Sequence, residues 1–519
     1  MLVVGCWFFA ETFNQPLTNN QQRTTNNQQR KTINLQPTTH LSKLKQLAGE
    51  TVLYGLGSML PRVLNFLLVP LHTINMFSKA EYGVITKLFA FVAVVNIVYM
   101  FGMETAFFRF ATKAQADVKR IFNLTQTTVI IISGSLSVAF IVFAQNIASA
   151  LGIPHQPEFI IWLTVLMLID ALVAIPFAKL RLEKKALLFA SIKIANVLLL
   201  IALNFYFLKI AYNPSVGVGY VILANLLANA LFVLLFVKVL LTWRPAWDKQ
   251  ISPQLFSYAY PVMLTGLAGM VNEMFSRTML DWWLPKDFYP GQSQEDAMGV
   301  FGACYKFAVF MNLGIQAFRY AAEPFFFSNA SDKNSPALFA KINHFFIIVC
   351  CIVLVGISIN LDVLKYFIGS EFRTGLEIVP VLLLAYLFLG VYYNLSVWFK
   401  LTDKTHYGTI ISFIGVVVTI AGNYLLIPLA GFMGSSIAAF LCYFSMTIFC
   451  FAWGQRYYPI PYNVKAALVY ITVSFALVYI INAIPIKYPV AASFFHFSVL
   501  AVFIIVVYRK EKAYLMQNV

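Results

Sequence analysis

The sequence predicts an all-α, polytopic membrane protein of about 14 transmembrane helices. They are expected as two six-helix bundles related by a pseudo-repeat, plus two further helices at the C-terminal end. Three observations predict this. The 519-residue chain is 60% hydrophobic and only 11% charged, whereas a soluble domain carries about 25% charged residues. Its apolar residues recur in stretches of about 20 or more, enough to cross a bilayer. Its lysines and arginines also fall in alternate loops, as the positive-inside rule requires of a multi-span chain.

Taken in order, the apolar stretches predict spans at 47–75, 83–111, 122–150, 157–180, 187–209, 215–238 and 253–282. The rest are expected at 297–327, 340–361, 376–399, 407–428, 433–453, 464–484 and 488–508. Most connections are short, so consecutive helices should be antiparallel neighbours. Residues 1–42 stand apart. Met1–Ala10 is apolar but lacks a basic n-region, so no signal peptide is expected. Asn14–His40 is rich in Asn, Gln and Thr and reads as a disordered polar extension. The expected organisation is that extension, bundles at 43–245 and 246–455, and two extra helices with a tail at 456–519.

The loop cations fix the expected orientation. Only Lys79, Lys209, Lys286, Lys365, Arg373 and Lys487 lie on one side. The opposite side carries 24 of the 37 Lys and Arg, among them Lys119, Arg120, Lys179, Arg181, Lys184 and Lys185. Both chain ends are therefore expected in the cytoplasm. The net charge of +16 is a topology signal, and no basic patch points to nucleic acid.

An internal repeat supports the two bundles. Arg181-Leu182 with Lys185 matches Lys400-Leu401 with Lys404, and the same offset of 219 places Asn204 on Asn423. Gly219-Tyr220-Val221-Ile222 resembles Gly434-Ser435-Ser436-Ile437, and Tyr82-Gly83-Val84 resembles Met298-Gly299-Val300. Glu104 with Phe107-Phe108 likewise echoes Glu323 with Phe325-Phe326. Six helices per repeat is an even number, so both copies have the same orientation, as in parallel transporter repeats.

Seven cations remain inside spans: Arg62, Lys87, Arg109, Lys193, Arg277, Lys306 and Arg319. A charge in hydrocarbon costs about 2.5–3.5 kcal/mol on insertion scales, so such groups face protein or a water-filled path. Six of the seven lie on the first two spans of each bundle, which suggests one central cavity. Arg62 and Lys306 have no acid within a turn on their own helix and are the leading candidates for binding an anion. Arg277 has Glu273 and Asp281 at i−4 and i+4, and Arg319 has Glu323. These pairs read either as internal salt bridges or as a cavity site with supporting acids. Lys87 and Arg109 sit near span ends and are expected to snorkel. Pro61 is expected to break the first helix near mid-span.

Asp170, in Leu-Met-Leu-Ile-Asp-Ala-Leu, is either a coupling-ion site or the partner of a cation such as Lys193, with the partner reading favoured. Glu104 is the available partner for Arg109. Six cysteines without paired spacing read as small hydrophobes, and the six histidines lack metal-ligand spacing. No Gly-rich phosphate loop opens a helix, and no loop is long enough for a catalytic domain. Hence no cofactor, no metal and no enzymatic activity are expected.

With these residues in view, the chain resembles the polysaccharide biosynthesis (oligosaccharide flippase) family of the multidrug/oligosaccharidyl-lipid/polysaccharide exporter superfamily. The resembling stretches are Leu67-Leu68-Val69-Pro70-Leu71, Ala80-Glu81-Tyr82-Gly83 and Gly102-Met103-Glu104-Thr105-Ala106-Phe107-Phe108-Arg109. Ser276-Arg277 stands where many members carry Asp-Arg, with Glu273 or Asp281 the available replacement acid. The resemblance covers roughly 43–510. It implies flipping of an undecaprenyl-diphosphate-linked oligosaccharide, as for O-antigen-type polysaccharide, by alternating access. The expected partners are this lipid-linked oligosaccharide, membrane lipids and polysaccharide polymerase machinery, the protein itself being a monomer.

Arg62, Lys306, Arg277 and Arg319 would bind the diphosphate. Glu273, Glu323, Asp170 and Glu104 would be supporting or coupling acids. Tyr54, Phe66, Tyr305 and Tyr320 are aromatics on which sugars could stack. A cation-coupled multidrug exporter is the alternative, but it would need unpaired acids where this chain concentrates cations. A membrane glycosyltransferase would need a carboxylate on a substantial outer loop, and the largest such loop, 282–296, is short.

Overall fold

The computed structural model describes residues 57, 59–74, 76–112, 117–328, 335–402, 404–486 and 488–517, without the side chains at 320, 321, 323, 324, 327, 328 and 513–517. The expected polar extension 1–42, Tyr54 and the side chains of Glu323 and Tyr320 lie outside the described residues. Every regular element among the described residues is helical. Eleven of these helices are long and apolar enough to cross a membrane. Large apolar side chains such as Val142, Leu234, Leu429 and Phe494 are exposed on the outside, where lipid would cover them. This is a multi-pass membrane protein.

The expected count of 14 differs from these 11 helices in three places. Met59–Ile74 is shorter than a full span. The path from Ile251–Met270 to Ser276–Trp283 is divided by a π-turn at Val271–Phe275. His406–Tyr457 runs for 52 residues through Gly431, which has φ 55° and ψ −132°. A side chain there would be strained, and the chain folds back on itself at this point. Gly422 faces Ala438, and a Cβ on Gly434 would overlap the Leu426 carbonyl. The two halves of this hairpin correspond to the spans expected at 407–428 and 433–453.

Local sequence explains the other boundaries. Ser78 caps Lys79–Met100, and Glu81 closes the reciprocal capping box by accepting the Ser78 N–H at 2.8 Å. That helix stops at Phe101 and Gly102, both left-handed, before Met103–Ala111 resumes. Gly102 is needed twice over: its φ is +69°, and a Cβ would lie 2.6 Å from the Ala259 carbonyl. The first helix is not broken at Pro61 as expected. Residues 59–66 are helical, and the interruption falls at Leu67. Pro70 explains it, because a proline lacks the N–H that would bond residue 66 and its ring crowds that carbonyl.

Pro157–Leu182 packs on Val118–Val142 and Gly219–Leu241, while the helices at 370–401 and 406–457 pack on each other. The two groups meet chiefly where Lys79–Met100 lies along Gln294–Ser328. The repeat position Asn204/Asn423 has matching chemistry. Each Asn is fully buried and donates to the carbonyl four residues back, Leu200 or Thr419. Each also reaches a helix at the central face: Asn204 meets His72 Nε2 at 3.0 Å, and Asn423 donates to Ser276 Oγ at 3.1 Å.

Candidate functional site

Between the helices at 59–74, 79–100, 219–241, 276–283 and 294–328 lies a cavity of about 260 Å³. Its polar lining comprises Asn65, His72, Tyr82, Thr86, Asn225, Arg277 and Lys306, and among the described residues no Asp or Glu lines it. Arg277 is 91% buried by its 9% exposure, and its Nε has no hydrogen-bond partner. Its guanidinium lies 3.7 Å from the Tyr305 ring centroid. Cation–π contact of this kind holds the flat cation in place without neutralising it. Among the described residues Lys306 has neither ion pair nor hydrogen bond. Two cations thus face one space that no described carboxylate lines, with Glu273 acting on Arg277 from outside the cavity.

Arg62 is not among the lining residues. It sits one turn before Asn65 and donates to Gln316 Oε1 at 2.6 Å. Gln316 donates to Asn312 Oδ1 at 3.4 Å, and Asn312 donates to Glu273 Oε1 at 3.0 Å. Glu273 is therefore joined to Arg62 through two amides across three helices. The fourth predicted cation, Arg319, is placed apart from the cavity. It lies 4.7 Å from the Tyr393 ring centroid and lines a separate small crevice with Asn394 and Lys400.

Several expected pairings are replaced. Asp281 binds Lys87 Nζ at 2.7 Å on the facing helix, not Arg277 on its own. Glu273, in the π-turn at Val271–Phe275, keeps Arg277 as its leading charge partner but makes no ion pair within 4.0 Å of it. Lys87 does not snorkel, being 3% exposed. Glu104 pairs with Arg181, whereas Arg109 lies over the Tyr258 ring at 4.2 Å. An i,i+5 spacing points Glu104 and Arg109 to different faces.

Asp170 accepts from Asn229 Nδ2 at 2.8 Å, and Lys193 is its nearest-acting cation, held over Phe177 and Phe232 at 4.1 and 4.7 Å. Phe66 packs against Phe310 and Phe367 rather than standing free.

Residues 75–284 match the family model described as polysaccharide biosynthesis protein. The resemblance to that family holds. The matched stretch carries the Glu81 cap, the Gly102 break, the Glu104 ion pair and Arg277, while Lys306 lies beyond it. No curated protein sequence matches the chain. Among solved structures, the chain is similar to one of lipid II flippase MurJ in an inward closed conformation. Identity is 12%, coverage 88% of this chain and 99% of the other, and the TM-score 0.67. It is also similar to a multidrug resistance MATE family transporter of the MOP superfamily, facing inward (14% identity, 81% and 96% covered, TM-score 0.58) and outward (14%, 82% and 96%, TM-score 0.55). The chain therefore has the fold of these flippase and multidrug-transporter structures.

Reading charges alone misses the neutral part of the site. Asn65, Asn225, Asn312 and Gln316 each interrupt an apolar run, and that interruption was the available signal. His72 was legible only as one scattered histidine, because its partner Asn204 lies 132 residues away.

Proposed function

We propose that this protein moves a lipid-diphosphate-linked oligosaccharide across the bacterial inner membrane, with no bond made or broken. One observation carries the reading: Arg277 and Lys306 face an interhelical cavity that, among the described residues, has no lining carboxylate. A diphosphate supplies the missing negative charge, and a guanidinium can hold two of its oxygens at once. Low local dielectric strengthens that attraction, while an organic cation would be repelled.

The cavity is smaller than the roughly 300–1,000 Å³ of sites that enclose drug-sized ligands. The glycan therefore crosses only as the bundles 43–245 and 246–455 part, first at one membrane face and then at the other. The lipid tail stays in the bilayer. Both termini are cytoplasmic, the 14 expected spans give the pathway its two sides, and a gradient or consumption of the glycan outside drives the cycle.

A second reading, cation-coupled multidrug export, draws on the fold shared with multidrug transporters and on the buried Asp170–Asn229 pair. Reconstitution separates the two. Purified protein in vesicles loaded with a lipid-diphosphate oligosaccharide should expose it to an external lectin, and inorganic diphosphate should inhibit. No exposure, together with proton-dependent efflux of a cationic dye, would transfer the assignment to the second reading.

A further inference from the structure

Where Lys79–Met100 and Gln294–Ser328 begin, the two helices cross at a pair of glycines. A Cβ on Gly83 would overlap the Glu295 carbonyl oxygen and come within 3.2 Å of Gly299 N. A Cβ on Gly299 would overlap the Lys79 carbonyl and come within 3.1 Å of Gly83 N. The contact is reciprocal, and the two glycines are the repeat partners in Tyr82-Gly83-Val84 and Met298-Gly299-Val300. One turn further on, Lys87 breaks this symmetry, because the offset that maps Gly83 onto Gly299 maps Lys87 onto Ala303.

Lys87 Nζ reaches across to Asp281 at 2.7 Å and donates to the Leu151 carbonyl at 3.2 Å. The pair is 3% and 16% exposed. Gly152, with φ +75°, follows Leu151, and its would-be Cβ lies 3.4 Å from Nζ. One ammonium thus ties together the start of Lys79–Met100, the end of Ser276–Trp283 and the turn after Ala144–Ala150. Asp281 is one turn beyond Arg277, so the clamp and a cavity cation share the short helix Ser276–Trp283.

We infer that Lys87–Asp281 is the latch that holds the outer mouth of the cavity shut. Lys87 and Asp281 each close off a buried charge only while the two bundles touch there. Parting the bundles exposes both to water, so the pair adds a free-energy difference between the closed and open states and sets their balance. The glycine crossing lets the helices approach closely enough for this short pair to form. The assignment of the mouth as outer rests on the proposed topology, but latching itself does not depend on which substrate is carried.

The test is labelling of a cavity-wall reporter, Ala93→Cys, by a membrane-impermeant maleimide in intact spheroplasts. The full chain would carry Cys6→Ala, since the five described native cysteines are buried, and the reporter-less chain gives the background. Lys87→Met and Asp281→Asn should each speed labelling from outside by about tenfold, with the double variant no more than about twofold faster again. Lys87→Arg and Asp281→Glu, which retain the charges, should stay near the parent rate. Parent-like labelling in both neutral variants, multiplicative effects in the double, or acceleration only from the cytoplasmic face would each overturn the latch. Because labelling needs no substrate, failure of the glycan-flipping reading would leave these rates unaltered.

Discussion

Arg277 holds its guanidinium 3.7 Å from the centre of the Tyr305 ring, so this tyrosine serves the cation and is not free to stack on a sugar. Tyr305 in turn leans on Tyr386, with ring centroids 5.8 Å apart. The cation is thereby fixed from behind, with its remaining donors available to the cavity. Replacing the ring while keeping its shape separates this role from simple packing. Tyr305→Phe should retain transport, and Tyr305→Ala should lower it about tenfold at subsaturating substrate, since such contacts are worth about 0.5–2 kcal/mol. Lectin exposure in reconstituted vesicles reads both. Equal losses in the two variants would show that the hydroxyl, not the ring face, matters.

Asp170 and Lys193 give a second test. If they are mutual partners, Asp170→Asn leaves a buried ammonium uncompensated and should destabilise the protein by roughly 3–5 kcal/mol. Adding Lys193→Met should recover much of that loss and restore transport. A double variant that is stable yet transport-dead would instead make Asp170 the coupling site.

The repeat-related asparagines should behave alike. Asn204→Leu and Asn423→Leu each orphan a buried partner, His72 or Ser276, and should each cost about 1–3 kcal/mol. Thermal unfolding in detergent measures this. A large effect in one half alone would argue against equivalent roles in the two bundles.

Glu104 and Arg181 pair at about one-third exposure, 38% and 32%, so solvent screens them. Glu104→Gln should lower stability by no more than about 1 kcal/mol and leave transport intact. Strong loss of transport at parent-like stability would move Glu104 into the transport site.

Hydropathy made the helical fold legible, because a span whose backbone groups must all bond within it reads as a long apolar stretch. Subtracting loop cations isolated Arg277 and Lys306, which the structure brings to one cavity. The pairing of charges was not legible. Helical spacing sees only one helix, whereas Lys87 meets Asp281, and Arg181 meets Glu104, across different ones. The π-turn below Arg277 leaves no composition signal, so the amide relay from Glu273 through Asn312 and Gln316 to Arg62 was not legible. Arg319 shares a helix with Lys306, yet 13 residues along it turns to another face and a separate crevice.

The central claim is that the cavity-facing cations Arg277 and Lys306 bind the diphosphate of a lipid-linked glycan. Glycan analysis of a deletion strain, complemented with wild type, Arg277→Ala or Lys306→Ala at matched protein levels, tests it most directly. The account predicts that wild type restores surface polymer, while both variants leave the lipid-linked unit accumulated in the inner membrane. Wild-type polymer in both variants, with no accumulated intermediate, would contradict it.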